Sequence, residues 1–264
     1  MPPTVQAVID LILREIAVAP IDDTVDTLKA GDAAQPVTGV VTSFMATMDV
    51  LRQAVVVGAN FVITHEPTFY NHRDAVDWLQ ADPTYLAKRA YLDAHHLAVW
   101  RFHDYWHRSA PDGILTGVVR QLGWEAYQSP SAPYEFDLPP QPLAALVQHV
   151  QTQLGARHLR VLGPAEMTCR QVLLLPGSPP SEWQLEAVRA AEVVITGETL
   201  EWQVVEYARD ALALGQTKAL ILLGHERSEE AGMAYLAEWL TARLPGVPVR
   251  HVSSGEPALL SAPN

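Results

Sequence analysis

GVVTSFMATMDVLRQAVVVGANFVITHE (39–66) and QVLLLPGSPPSEWQLEAVRAAEVVITGE (171–198) decide the fold of this chain. Each opens on an apolar run, crosses a loop into residues spaced three and four apart, and returns to a run that ends Val-Ile-Thr-x-Glu. Period-2 and buried runs flanking a period-3.6 segment read as strand, helix, strand, the βαβ unit of a parallel sheet. The two copies stand at a constant offset of 132, from His65 to Gly197 and from Glu66 to Glu198. Shared order at a fixed offset reads as a duplication: two similar α/β lobes related by an approximate twofold.

Working outward, the pattern continues on both sides. Helical spacing is predicted over 4–17, 47–57, 83–95, 114–122, 143–154, 181–190, 200–214 and 229–244. Strands are predicted over 37–43, 61–64, 97–102, 170–175, 193–196, 219–223 and 247–252. Alternation of strand and helix places the chain in the α/β class. The segment 18–36, with Pro20, Gly31 and Pro36, reads as mostly loop. Five prolines between 129 and 142 mark a boundary, so the first lobe is expected to hold 1–128 with 226–264 and the second 129–225.

Composition narrows the function classes. The chain has 264 residues, 48% of them hydrophobic and 18% charged, enough for a sizeable core. Eighteen basic against thirty acidic residues leave −12, a surface that repels phosphate backbones and anionic lipid. Nucleic acid and membrane are therefore not expected partners. A lone Cys169 excludes an internal disulfide and a cysteine-only zinc site, and fits a reducing cytosol. The opening 1–17 lacks a basic leader and is interrupted by Asp10; the longest uncharged apolar stretch, 54–64, is too short to span a bilayer. A soluble, cytoplasmic protein is expected. No GxGxxG, GxxxxGK[ST] or GxSxG occurs, so dinucleotide, P-loop and nucleophile-elbow chemistry lack a motif.

Six of the ten histidines lie between 65 and 107. A single loop histidine is usually a solvated side chain, so position decides. His65-Glu66, His103-Asp104 and His225-Glu226 each directly follow a predicted strand. In an open α/β sheet, ligands bind outside the carboxyl ends of the strands. Imidazole and carboxylate without thiolate suit Zn, Fe, Mn, Co or Ni as divalent ions. In GHERSEEAG (224–232), His225 and Glu229 stand at i, i+4, one face of a helix, able to grip one ion or two neighbours. His103 is the candidate general acid/base, an unperturbed imidazole being the side chain that titrates near neutrality. Trp100 and Trp106 flank this region and are expected in the core.

Over 22–257 the chain resembles the Nif-three-like family, also known as GTP cyclohydrolase 1 type 2-like proteins. The resemblance lies in DVLRQAVVVGANFVITHEPTF (49–69), RFHDYWHRSAPDGI (101–114), VVITGETLEW (193–202) and GHERSEEAGM (224–233). It implies a dinuclear divalent metal site between two α/β lobes and a ring-shaped homo-oligomer, a hexamer. Carried over by position, His65, His225 and Glu229 match metal ligands. Glu66 stands where the family has a second histidine; His107 stands where it has an aspartate, for which Asp104 is the nearest carboxylate. Trp202 replaces a family histidine, and TVDTLKAGD (24–32) is a distant echo of a Trp-Asp-Asn motif, so the chain reads as a divergent member.

The expectation is a hydrolase in which two divalent ions per chain activate water on a small substrate, a nucleotide or a phosphoester. The alternative is a metal-binding scaffold or regulatory oligomer without turnover.

Overall fold

A computed structural model describes residues 2–257. In chain order the first elements are α1 (Val5–Ile16), β1 (Leu28–Ala30), β2 (Val40–Ser43), α2 (Met48–Val56) and β3 (Phe61–Thr64). They are followed by α3 (Pro83–Ala94), β4 (Ala98–Arg101), α4 (Asp104–Arg108), α5 (Gly113–Leu122) and β5 (Glu135–Pro142). Then come α6 (Leu143–Leu154), β6 (Arg160–Leu162), β7 (Thr168–Leu175), α7 (Ser181–Ala190) and β8 (Val193–Thr196). The last are α8 (Glu206–Ala213), β9 (Ala219–Leu222), α9 (His225–Thr241) and β10 (Val249–His251). The described residues divide into unit 1 (2–116 and 232–254) and unit 2 (117–231 and 255–257).

Unit 1 holds a five-stranded sheet in the order β1-β4-β3-β2-β10. Neighbours β4, β3, β2 and β10 are parallel, and β1 joins the edge antiparallel. Alternate residues supply two cores. Val40, Phe61, Ile63, Ala98 and Trp100 pack with Val8 and Ile12 of α1 and with Met233, Leu236 and Leu240 of α9. Val41, Val62 and Val99 point to the opposite face, against Val50, Leu51 and Ala54 of α2 and Leu92 of α3. Both faces are covered, so β3 reads Phe-Val-Ile-Thr with every residue buried rather than alternating. Trp100 and Trp106 are buried in the first of these cores, as expected. Thr47 caps α2 by accepting the Val50 N–H, and Asp82 caps α3 by accepting that of Tyr85.

Unit 2 repeats the plan with a sheet ordered β5-β7-β8-β9-β6. Its central strands β7, β8 and β9 are parallel, while β5 and β6 are antiparallel edges. The repeat extends to register. Val40 pairs with Phe61 and Val172 with Val193, so the sequence offset of 132 maps one pair onto the other. The third strands match too: Phe61 faces Ala98, and Val193 faces Ala219. Leu175, Val188, Val194, Val204, Ala208 and Leu220 form the core beneath α7 and α8.

The proline-rich stretch read as a boundary contributes an edge strand. Pro139, Pro140 and Pro142 lie in β5, whose pairing with β7 shifts register between Asp137 and Gln141. Proline lacks a ladder donor and is tolerated at an edge or an irregularity, and β5 has both. The segment 18–36, read as loop, contains the three-residue β1. The helix predicted over 200–214 opens with a π-helical turn, Glu201–Val205. No helix among the described residues is long and apolar enough to cross a membrane.

Gly31 fixes how closely β1 approaches β4. Its φ is +85°, and a Cβ there would sit 2.5 Å from Ala98 Cα and 2.9 Å from the Leu97 carbonyl. Both obstacles are backbone, so neither can rotate away. Gly31→Ala is expected to cost about 2–5 kcal/mol, combining left-handed strain with overpacking. Urea unfolding checks this, and an unchanged midpoint would contradict the packing described.

Candidate metal centre

Parallel pairing of β3 with β4 sets Thr64 opposite Arg101, so the residues that follow emerge side by side. The Phe102 N–H donates to the Thr64 carbonyl at 2.7 Å, extending the ladder one step. His65 leaves β3 there, His103 leaves β4, and His107 follows one turn later on α4. The His65 and His103 rings stack with centroids 4.5 Å apart, and the His107 ring meets both edge-on at 4.9 and 5.0 Å. His65 is fully buried, and His103 and His107 are half-buried. Each offers one nitrogen within 4.8 Å of the other two.

The partners of the second nitrogens assign the tautomers. His65 Nδ1 lies 3.3 Å from the Phe102 carbonyl, His103 Nδ1 2.9 Å from Asp104 Oδ1, and His107 Nδ1 3.1 Å from Asp112 Oδ2. All three partners are acceptors, so each Nδ1 carries the hydrogen, and in the neutral ring each Nε2 presents a lone pair. The Nε2 atoms of His65 and His107 are only 3.1 Å apart. Two lone pairs at that distance repel unless a cation or a proton stands between them. Ligand nitrogens on a tetrahedral zinc are separated by about 3.3 Å, given bonds of about 2.05 Å. An imidazole anchored through Nδ1 by a carboxylate or carbonyl is also the usual setting of a metal-binding histidine. The donor set therefore fits a divalent cation.

Glu66, buried beside His65, places Oε1 3.5 Å from His103 Nε2 and Oε2 3.4 Å from the Arg101 guanidinium. Arg101 is itself fully buried. Its Nε donates to the His65 carbonyl at 3.0 Å and a terminal nitrogen donates to the His72 carbonyl. One side chain thus ties down both ends of the 65–72 loop and the carboxylate between.

Asp104 faces away from the three Nε2 atoms. Besides holding His103, its carboxylate accepts from the Thr24 hydroxyl at 2.8 Å and the Val25 N–H at 3.1 Å. Burial pushes its pKa up, but the hydrogen bonds from His103, Thr24 and Val25 outweigh that and lower it to about 2. The ring of His107, one turn further on, is the one that joins the cluster.

Sequence reading passed over four supporting residues. Asp26 accepts the backbone N–H groups of His103, Asp104 and Tyr105 at 2.8–2.9 Å, capping the turn that carries both histidines. Its pKa is raised by burial, against those three N–H groups. Thr24, Asp112 and Arg101 complete the support. Asp26 and Thr24 belong to TVDTLKAGD and Asp112 to the Asp-Gly step, and those polar residues in the quoted motifs were the only available signal.

In unit 2, the first turn of α9 presents His225, whose Nε2 lies 3.1 Å from Glu229 Oε2 and whose Nδ1 lies 3.4 Å from Glu198 Oε2. Glu229 is 2% exposed. Glu226, paired with His225 in the sequence reading, instead lies buried against Arg227 at 3.2 Å. Burial first, and then Glu230, raise its pKa.

The Duf34/NIF3 (NGG1p interacting factor 3) family model matches residues 7–257. A Clostridium perfringens protein named GTP cyclohydrolase 1 type 2 homolog is 20% identical over 245 residues, 88% of this chain and 90% of its own. The crystal structure of Staphylococcus aureus protein SA1388 superposes at a TM-score of 0.77 and 17% identity, covering 99% of this chain and 100% of that one. A Bacillus cereus protein related to NIF3 gives a TM-score of 0.75 at 17% identity, covering 98% and 99%. At such identities the solved structures speak for the fold alone. The family model, spanning nearly the whole sequence, assigns more: this chain is a member of the Duf34/NIF3 family.

Proposed function

We propose that this protein is a metal-dependent hydrolase of small polar substrates, with two divalent cations per chain. His65, His103 and His107 are the ligands of the first cation, with Glu66 at its side. His225 and Glu229 are ligands toward the second. The observation that carries the reading is the set of three imidazoles whose Nδ1 atoms are all committed to acceptors while two of the Nε2 atoms stand 3.1 Å apart. Nitrogen donors with a carboxylate select among Zn, Fe, Mn, Co and Ni. A bound cation of this kind supplies a water acidified to near neutrality.

The chain's own residues do the rest. Asp104, Asp112 and the Phe102 carbonyl hold the imidazoles in one tautomer. Arg101 holds Glu66 at the edge of the cluster, a carboxylate within reach of a proton leaving the site. With Nδ1 held by Asp104 and a ring nitrogen grouped with those of His65 and His107, His103 is read here as a ligand rather than as the general acid/base. Ring opening of a purine nucleotide is the reaction class suggested by the name of the Clostridium perfringens relative, and phosphoester cleavage is the second class. The family resemblance also supports a cytoplasmic homohexamer.

Protein loaded with Zn, Mn or Fe is expected to turn over a member of a panel of nucleotides, phosphoesters and cyclic amides. That turnover is expected to vanish with chelator and in His103→Ala. Tight cation retention with no turnover across the panel would contradict the hydrolase reading and favour the scaffold role.

A further inference from the structure

The two units differ where their repeats should agree. The offset of 132 places Gly197 of unit 2 where unit 1 has His65, and the matched third strands place Gly224 where unit 1 has His103. Unit 2 therefore lacks two side chains at the carboxyl ends of its central strands. At Gly197 the freed space is filled by α9. A Cβ on Gly197 would lie 2.4 Å from Ser228 Oγ and 2.4 Å from the Gly177 carbonyl.

Ser228 is fully buried and makes contacts in two directions. Its hydroxyl donates to the His225 carbonyl at 2.7 Å, and its Oγ accepts the Gly177 N–H at 2.8 Å. The first bond alone is common for a serine inside a helix, which folds its hydroxyl back on the preceding turn. The second ties that turn to the loop after β7. Gly177, with φ +76°, lies against the next residue of α9: a Cβ on it would sit 2.3 Å from Glu229 Oε1. The Gly177 carbonyl in turn accepts the Glu198 N–H at 2.8 Å, and the Gly197 carbonyl accepts the Gly224 N–H at 3.1 Å. The loops after β7, β8 and β9 are thus laced together around one hydroxyl, and the carboxylate of Glu229 is walled by a residue with no side chain.

We propose that Ser228, seated between Gly177 and Gly197, is a positioning residue that sets His225 and Glu229 in ligand geometry. The inference rests on the reading of His225 and Glu229 as ligands given above. Ser228 touches neither a cation nor a substrate. It acts through the His225 carbonyl and through the Gly177 wall behind Glu229.

The test is zinc titration by calorimetry on the full-length protein, with the visible spectrum of the cobalt-loaded form as a second readout. Ser228→Ala is expected to fold and keep its first equivalent at wild-type affinity. Its second equivalent is expected to weaken by about 10- to 100-fold, the usual consequence of losing a group that orients a ligand. Gly177→Ala, which pushes on the Glu229 carboxylate directly, is expected to weaken the same equivalent and shift the cobalt bands. It is read by the same criteria should Ser228→Ala not fold. Two equivalents at wild-type affinity with an unchanged cobalt spectrum in a folded variant would overturn the proposal. His225→Ala separates the two levels of inference. If it too retains both equivalents, the ligand reading has failed; if it loses one while the Ser228 and Gly177 variants lose none, only the positioning role has failed.

Discussion

His107→Ala is expected to remove the first cation's share of the protein's response to divalent metal while leaving the metal-free fold intact. His107 is half-buried in the last turn of a short helix, and its ring contributes little to either core. The cluster depends on it, because its Nε2 is the atom 3.1 Å from His65 Nε2. With two imidazoles left, affinity is expected to fall by at least about 100-fold, beyond the range seen for loss of an orienting partner. Zinc at a hundred times its Kd stabilises the wild type by about 2.7 kcal/mol, a rise in Tm of roughly 5 °C for a chain of this size. The first cation's share of that rise is expected to be absent in His107→Ala, with the metal-free Tm within about 1 °C of wild type. An equal zinc-induced rise in both proteins would exclude His107 from the ligand set. Asp104→Ala leaves all three Nε2 atoms in place, so it is the informative comparison: a smaller loss there and a larger one in His107→Ala distinguishes the ligand from its support.

Arg101→Met is expected to be the most destabilising single change near the site, by about 3–5 kcal/mol, the usual effect of removing one partner of a buried pair. The guanidinium is fully buried, and its removal takes a buried donor from the Glu66 carboxylate and from the His65 and His72 carbonyls. Methionine fills the volume and returns none of the hydrogen bonds. Lysine is not a substitute, since one ammonium cannot span the three acceptors that a planar guanidinium reaches. Denaturant unfolding measures the loss, and a decrease below about 1 kcal/mol would show that the 65–72 loop is held by other contacts. Its neighbours do contribute: Asp74 accepts the Phe69 N–H at 2.6 Å, and buried Lys88 donates to the Thr68 carbonyl at 2.7 Å.

The parts of the fold that were legible share one property: their signal is local. Phe61–Thr64 and Val193–Thr196 are short buried runs bounded by turn residues, and both are strands of a parallel core. The offset of 132 was visible in sequence and reappears as identical strand register. What was hidden depends on tertiary partners. Leu28–Ala30 and Arg160–Leu162 are strands of three residues, too short to show any period, and each exists because a longer strand offers its edge. Glu135–Pro142 carries prolines that argue against a strand everywhere except at an edge.

The candidate site divides in the same way. That His65 and His103 leave adjacent strand ends could be read from two short apolar runs and a parallel sheet. Which of Asp104 and His107 turns inward could not, because it depends on Thr24 and Val25, some 80 residues earlier in the chain, drawing the Asp104 carboxylate toward them. Arg101 was read only as part of a strand, and Asp26 only as part of a loop. Their roles appear once the carbonyls and N–H groups they satisfy are placed around them.

The most direct measurement is anomalous diffraction at the zinc edge from crystals of the zinc-loaded protein. A peak within about 2.0–2.1 Å of the Nε2 atoms of His65, His103 and His107 is the expected result. No zinc at those three nitrogens, or zinc bound through Nδ1 with Asp104 and Asp112 turned away, would contradict the metal centre described here.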